Sequence, residues 1–542
     1  MPSSALPRPE YAVHNPALQQ LLRTTYTLAD LSAIISALGE HGTLRLRRYK
    51  NAKLGFVGGA SAVTIVDIED ALESALGDNL QYMWTRDSVM QSIAERIAAD
   101  DPELKAASQI RPTQWRQGLW ANLKHYEMHQ QTFVDVIWGR PKNDGTNQPI
   151  TGLYKDAAYH PAIRFNAKSL KTVPWVWSHK QNDAHGALNF QLFWELNNKR
   201  LFWSDPDLNA VAVPYAALLH HLFFRCNVAA DWDFGAWEDV AAEHQSSIMC
   251  VAVGLAEELD WLRANGAFKH YSAGNDWWVK AEGVEQMLKN CIAKLKELGT
   301  DEARRGELGG KVRTSDSAQL NGLLLQALAK RQILDDVAVE AIISRIESEL
   351  MGFYGIARYL GDTWDGREHG KSDRPEFVRG RDEMKWYFGS PQIVYILGER
   401  YLRTGEEHLY EWLTYHFSRA IAGIDADWHT PEGWRISKES GQWERDNNCP
   451  LAWSQAALIL ALSMMKACVA KKPQFDAAKK KAAEDAAKTV ADAAAAATAV
   501  KAPTPAQSPA QPAEGAASAP DMAQPAKGLI ARAVSAVVAL FR

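Results

Sequence analysis

The chain has 542 residues, 46% of them hydrophobic and 23% charged, with a net charge of −5 and a pI near 6.3. These are the proportions of a globular protein, and without a basic stripe interleaved with aromatics they exclude a nucleic-acid binder. The length suits several domains of roughly 100–200 residues, or one large barrel.

At the N-terminus, MPSSALPRPEYAVHNPALQQ lacks a basic n-region and an apolar h-region, so no secretory signal is expected. No run of about 18 apolar residues suggests a membrane span. The five cysteines, Cys226, Cys250, Cys291, Cys449 and Cys468, are odd in number and never paired as CxxC. That pattern predicts neither a disulfide framework nor a zinc site, and it points to the cytoplasm.

Helical periodicity dominates residues 18–468, and strand-like alternation is scarce. Twelve helices are predicted, over 18–38, 88–99, 112–130, 187–198, 207–225, 237–262, 282–297, 317–329, 335–350, 389–404, 407–422 and 451–467. The second turns Val89, Ile93 and Ile97 to one face; the sixth does so with Ile248, Val251, Ala252, Leu255, Leu259 and Leu262. Twelve helices paired as six hairpins close into a ring whose alternate helices line the inside. The expected fold is therefore all-α, an (α/α)6 barrel.

The polar and aromatic residues concentrate ahead of the even-numbered helices. YMWTRDS, with Trp84, Arg86 and Asp87, precedes the second, and WSHKQNDAHG, with Trp177, Gln181 and Asp183, precedes the fourth. DWDFGAWEDV opens the sixth with Trp237, Glu238 and Asp239. RTSDSAQ precedes the eighth, ARYLGDTWDG, with Arg358, Tyr359 and Asp362, the tenth, and HTPEGWRISKESGQWERDNNCPLAW, with Trp453, the twelfth. In a toroid these loops share one end of the barrel. Many of the twenty tryptophans stand beside Asp, Arg, Gln or Gly in these loops. A flat ring next to hydrogen-bonding groups suits a sugar, whose CH faces stack while its hydroxyls need partners.

Beyond residue 468 the composition changes. Residues 469–500 are Ala- and Lys-rich and read as a solvated helix, and 501–525 read as a disordered Pro/Ala/Ser-rich linker. Residues 526–542 are a short apolar segment carrying Lys527, Arg532 and Arg542. That end reads either as a membrane-surface or protein contact or as a tail without such a role.

The ordered motifs WTRD, Trp-x3-Gln-x-Asp, Gly-x-Trp-Glu, Arg-Tyr-x2-Asp and Pro-Leu-x-Trp-Ser, spread over about residues 20–468, resemble the catalytic module of glycoside hydrolase family 15, the glucoamylases. The N-terminal domain of the phosphorylase kinase α and β subunits is similar. The resemblance implies an (α/α)6 barrel, inverting hydrolysis of terminal α-linked glucose from an α-glucan or short α-glucoside, and no cofactor or metal. It implies that Arg86 and Asp87 grip the 4- and 6-hydroxyls of the glucose. Trp84, Trp177, Gln181 and Asp183 would wall the pocket, and Arg358, Tyr359 and Asp362 would face the 2- and 3-hydroxyls and beyond, with Trp237, Asp239 and Trp453 completing the substrate contacts. The kinase subunits imply a rival, a carbohydrate-sensing protein without catalysis.

Inverting hydrolysis needs one carboxylic acid to protonate the leaving oxygen and one carboxylate to activate water from the opposite face. Glu238 is the expected acid, kept protonated by the low polarity of Trp237 and the like charge of Asp239. An acid at a helix mouth also has an ordinary dipole explanation. The family's base is a Glu about seventeen residues ahead of the Trp of Pro-Leu-x-Trp. Here Glu432, in Pro431-Glu432-Gly433, lies 21 residues ahead of Trp453, and Glu439 lies 14 ahead. Both are candidates, with Glu432 taken first for its Pro-Glu context. His179 and His185 lack i, i+4 spacing and are expected as pocket or core residues, and Lys180 as a solvated or substrate-facing charge.

Overall fold

The computed structural model describes residues 9–46, 50–51, 55–56, 82–167, 169–173, 177–307, 312–362, 364, 383–437, 439–446 and 449–499. Fifteen α-helices occur among them: α1 (Pro16–Gln19), α2 (Leu28–Glu40), α3 (Thr85–Asp100), α4 (Pro102–Ser108), α5 (Gln114–Met128), α6 (Gln130–Trp138), α7 (Asn182–Asn197), α8 (Pro206–Cys226), α9 (Gln245–Asn265), α10 (Ala281–Leu298), α11 (Gln319–Ala329), α12 (Asp336–Glu349), α13 (Gly389–Thr404), α14 (Glu407–Ala422) and α15 (Ala452–Ala499). Residues Tyr11–Pro473 form one compact unit, and the described residues 474–499 belong to a second. The expected linker 501–525 and tail segment 526–542 lie outside the described residues.

Burial sorts the helices into two rings. The outer helices bury one stripe, as in α10 with Val284, Met287, Cys291, Leu295 and Leu298 and in α12 with Val339, Ile342, Ile343 and Ile346. By contrast α3, α7, α9, α11, α13 and the first turns of α15 are buried on nearly every side. Each inner helix packs on the next, α3 on α7, α7 on α9, α9 on α11 and α11 on α13. At α13, Gly398 meets Met464 and Cys468 of α15, and Lys466 of α15 returns to Asp101 beside α3 at 2.6 Å. This is the (α/α)6 barrel. The α7–α9 crossing is tight enough that a Cβ at Gly186 would lie 2.6 Å from the Val251 backbone nitrogen.

Several boundaries differ from the periodicity. The first predicted helix is two, because Thr27 and Asp30 form a reciprocal capping box that starts α2 afresh. Two short helices, α4 and α6, are additional. The sixth helix starts at Gln245 rather than 237, since Gly235 and Glu238 both have left-handed backbones that a right-handed helix cannot contain. The last helix runs on through the Ala/Lys-rich segment to Ala499. It is also long and apolar enough to cross a membrane by length and composition, contrary to the sequence reading, yet its most apolar window is 78% buried as barrel wall. Strands are short, and five of them form an antiparallel sheet in the order Trp443–Arg445, Gly433–Ile436, Lys385–Trp386, Gly355–Ile356, Met351–Gly352.

Candidate active site

The segment 231–244 is a loop pinned at both ends. Asp231 and Asp233 face inward: Asp231 pairs with Lys180 and accepts from Asn182 Nδ2 at 3.1 Å, and Asp233 accepts from the Asn182 backbone at 2.7 Å and from Ser247 Oγ at 2.8 Å. Lys180 is thus a buried structural cation, not a solvated or substrate-facing one; its ammonium also donates to the Gly152 carbonyl at 2.6 Å. At the far end Glu302 accepts from Ser246 N and Oγ at 3.1 and 2.6 Å and meets His244 Nδ1 at 3.1 Å. Burial disfavours the His244 charge, but Glu302 outweighs it and lifts the imidazole pKa to about 9. A buried ion pair therefore sets where α9 begins.

Between these anchors stands Glu238, with φ +59°. A non-glycine residue held there signals a constraint imposed by its surroundings. Its side chain is 17% exposed, and Oε1 lies 3.8 Å from Arg86 Nη2 with no hydrogen-bond partner among the described residues. Arg86, in the first turn of α3, also donates to Asp183 Oδ2 at 2.9 Å and Gln181 Oε1 at 3.3 Å, lies 3.7 Å from Asp87, and sits 5.3 Å over the Trp453 ring. Burial raises the Glu238 pKa, Arg86 opposes the rise, and Asp183 adds to it. Asp87 is pushed up to about 7 by burial against the same arginine. Asp87, Asp183 and Glu238 each keep one buried oxygen without a hydrogen bond among the described residues, as do the indole nitrogens of Trp177, Trp386 and Trp453.

Asp239 behaves differently from expectation. Burial pushes its pKa up, but Arg313, Arg358 and the Tyr359 hydroxyl outweigh burial and hold it below the usual value. Asp239 is therefore a neutralised anion and does not keep the Glu238 proton on; desolvation and Asp183 do. Tyr359 donates to Asp239 Oδ2 at 2.7 Å. Asp362, fully buried, grips Arg358 through two bonds of 2.8 and 2.6 Å and so orients that guanidinium. Trp237 donates to Asp316 at 2.6 Å and packs 4.9 Å from Trp386. His179 and His185 are buried and neutral, each with a pKa lowered to about 4 by burial.

The last loop joins this group through its backbone. Pro431 O accepts from Ser454 Oγ at 2.7 Å, Glu432 O from the Tyr387 backbone at 3.0 Å, and Gly433 pairs with Trp386 in the sheet. Trp453 stacks on Phe388 at 4.0 Å and sits under Arg86, and Glu432 is half-buried in the loop that precedes it. Glu439 instead is exposed in the turn between Gly433–Ile436 and Trp443–Arg445.

Two participants escaped the sequence reading. Arg164 pairs in register with Trp84, and its guanidinium sits 4.1 Å from the Trp84 ring and 4.4 Å from Trp177, close enough to oppose the rise in the Glu238 pKa. Arg313 lies 3.8 Å over Tyr359. Arg313 opens the RTSDSAQ cluster without having been singled out there, and Arg164 stands in none of the six clusters, so no local signal marks it. Asp425, His429 and Cys449 could together hold a cation, but Arg445 Nη1 is directed among them, 3.2 Å from His429 and 3.9 Å from Cys449. Their centre is thus a guanidinium.

No protein-family model matches the chain, and no curated protein matches its sequence. Solved structures do. A wild-type glycosidase is similar with a TM-score of 0.54 at 14% identity, over 81% of this chain and 99% of its own. A glycosidase variant in complex with glucose gives 0.54 at 13% over the same shares. The glucoamylase from Saccharomycopsis fibuligera gives 0.50 at 12%, over 82% and 99%. The chain has the six-hairpin (α/α)6 fold of glycosidases and glucoamylases.

Proposed function

We propose that this chain is an inverting, exo-acting α-glucosidase that releases glucose from the non-reducing end of an α-glucan or short α-glucoside. The observation that carries the reading is Glu238: a carboxyl with a raised pKa and a free oxygen, partly open to solvent, beside an arginine that two further carboxylates share. A carboxyl that keeps its proton above the ordinary range can pass it to a departing glycosidic oxygen. Arg86 and Asp87 side by side match a pair of sugar hydroxyls. The indole N–H groups of Trp177, Trp386 and Trp453, without a partner among the described residues, supply donors beside flat ring faces. Glu432 is the base, activating water from the opposite face of the ring. A glycosidase of the same fold binds glucose.

The test is to incubate the protein with maltose, isomaltose, kojibiose, nigerose and trehalose and follow the anomers by proton NMR. The expected first product is β-glucose, from the linkage the enzyme accepts. Initial α-glucose would overturn inversion. No product from any of them would replace the reading with a sugar-binding regulatory protein.

A further inference from the structure

The residues on either side of Glu238 are anchored by one buried pair. Asp316, fully buried just before α11, accepts from Trp237 Nε1 at 2.6 Å and from the Ala318 backbone at 2.8 Å through Oδ1, while Oδ2 lies 3.2 Å from Arg313 Nη1. Arg313 Nη2 in turn lies 3.7 Å from Asp239 Oδ1. The same stretch binds the Arg358–Tyr359 segment: Asp316 bridges to Tyr359, and the Ser317 backbone donates to Arg358 O at 2.7 Å. Tyr359 closes the circuit by donating to Asp239. Trp237 and Asp239 are thus held from the α11 side, while Glu238 between them takes φ +59° and directs its carboxyl to Arg86. Such a backbone persists only where its surroundings over-determine it.

We propose that Asp316 and Arg313 are positioning residues, a clamp on Trp237 and Asp239 that holds Glu238 in the left-handed conformation from which its proton reaches the glycosidic oxygen. The proposal rests on the reading of Glu238 as the proton donor. A clamp that acts through the acid slows only reactions that need the acid. Maltose needs a proton on its leaving oxygen; α-glucosyl fluoride releases fluoride without one. Asp316→Ala removes both acceptors, whereas Asp316→Asn keeps a carbonyl for the Trp237 indole.

Kinetics of both variants on both substrates test this. Asp316→Ala is expected to lose on the order of 10²-fold in kcat on maltose, with KM changed less than about threefold, and less than about threefold in kcat on the fluoride. Asp316→Asn, which keeps the Trp237 acceptor and gives up the Arg313 ion pair, is expected to recover part of the loss. Equal losses on the two substrates, or none, would overturn the clamp. Should the buried alanine prevent folding, Trp237→Phe removes the N–H together with the fused pyrrole ring, keeps an aromatic ring against Trp386, and is expected to show the same asymmetry. Crystal structures supply a readout independent of turnover: Glu238 leaves the left-handed region in Asp316→Ala and keeps it in Asp316→Asn. Finding it near its original φ in the alanine variant would sink the proposal. If the wild-type protein hydrolyses neither substrate, the glucosidase reading fails, and the crystal structures alone decide the clamp.

Discussion

Replacing Glu238 by glutamine keeps the side chain's shape and removes its proton. General acid catalysis contributes about 10²–10⁴-fold, or roughly 3–5 kcal/mol of barrier at about 1.4 kcal/mol per tenfold. That is the expected loss on maltose. Stability moves the other way. Burial holds the folded carboxyl's pKa above its ordinary value of 4.5, against the Arg86 charge. From that value up to the raised one, the native state keeps a proton that the unfolded chain releases, so stability falls as pH rises through the window. Glutamine does not titrate, and the variant gains on the wild type as pH climbs from 4 to 8. Glu238→Gly removes the acid and also relieves the φ of +59°, adding on the order of 1 kcal/mol, the cost of a left-handed non-glycine residue. The assays are initial glucose release from maltose and thermal unfolding at pH 4, 6 and 8. Glutamine turnover within tenfold of wild type would refute Glu238 as the acid. A glutamine variant that loses stability relative to wild type as pH rises would refute the account of its pKa.

Asp183 raises the Glu238 pKa and shares Arg86 at 2.9 Å. Asp183→Asn therefore moves the basic limb of the kcat/KM pH profile to lower pH, by about one unit for each 1.4 kcal/mol of interaction removed; a limb that stays or moves up contradicts the assignment. Glu432→Gln is expected to lose several orders of magnitude in kcat on maltose, and Glu439→Gln, altering an exposed turn, to stay within about threefold. The reverse result would transfer the base to Glu439. At the α7–α9 crossing, Gly186→Ala forces a methyl against backbone, where overpacking typically costs about 1–3 kcal/mol. An unchanged Tm by calorimetry would show that the crossing has room to relax.

Much of the barrel was legible because helical periodicity is local. The single stripes of α10 and α12 can be read from a dozen consecutive residues, and so can the gathering of Trp, Arg and Asp ahead of each inner helix. The start of α9 was not, since it depends on Glu302 meeting His244 and Ser246 from more than fifty residues away. Lys180 looked solvated for the same reason: its partner Asp231 is distant in sequence and adjacent in space. Arg164 lies alone in AAYHPAIRFNAKSL, and only the pairing with Trp84 inserts it between two indoles.

The sequence by itself determined the helices, their alternation with polar-aromatic loops and the order of those loops, and with them the architecture. Those properties follow from side-chain size and polarity over a few turns. Only the tertiary structure decided which carboxylates of DWDFGAWEDV are structural, burying Asp231 and Asp233 and leaving Glu238 and Asp239 partly open to solvent. It also reversed the expected effect of Asp239, because Arg313 and Arg358 neutralise it. The reason is the range of the forces: a pKa and a left-handed backbone depend on desolvation and on charges brought within about 4 Å by folding, from residues the chain keeps tens of positions to more than a hundred apart.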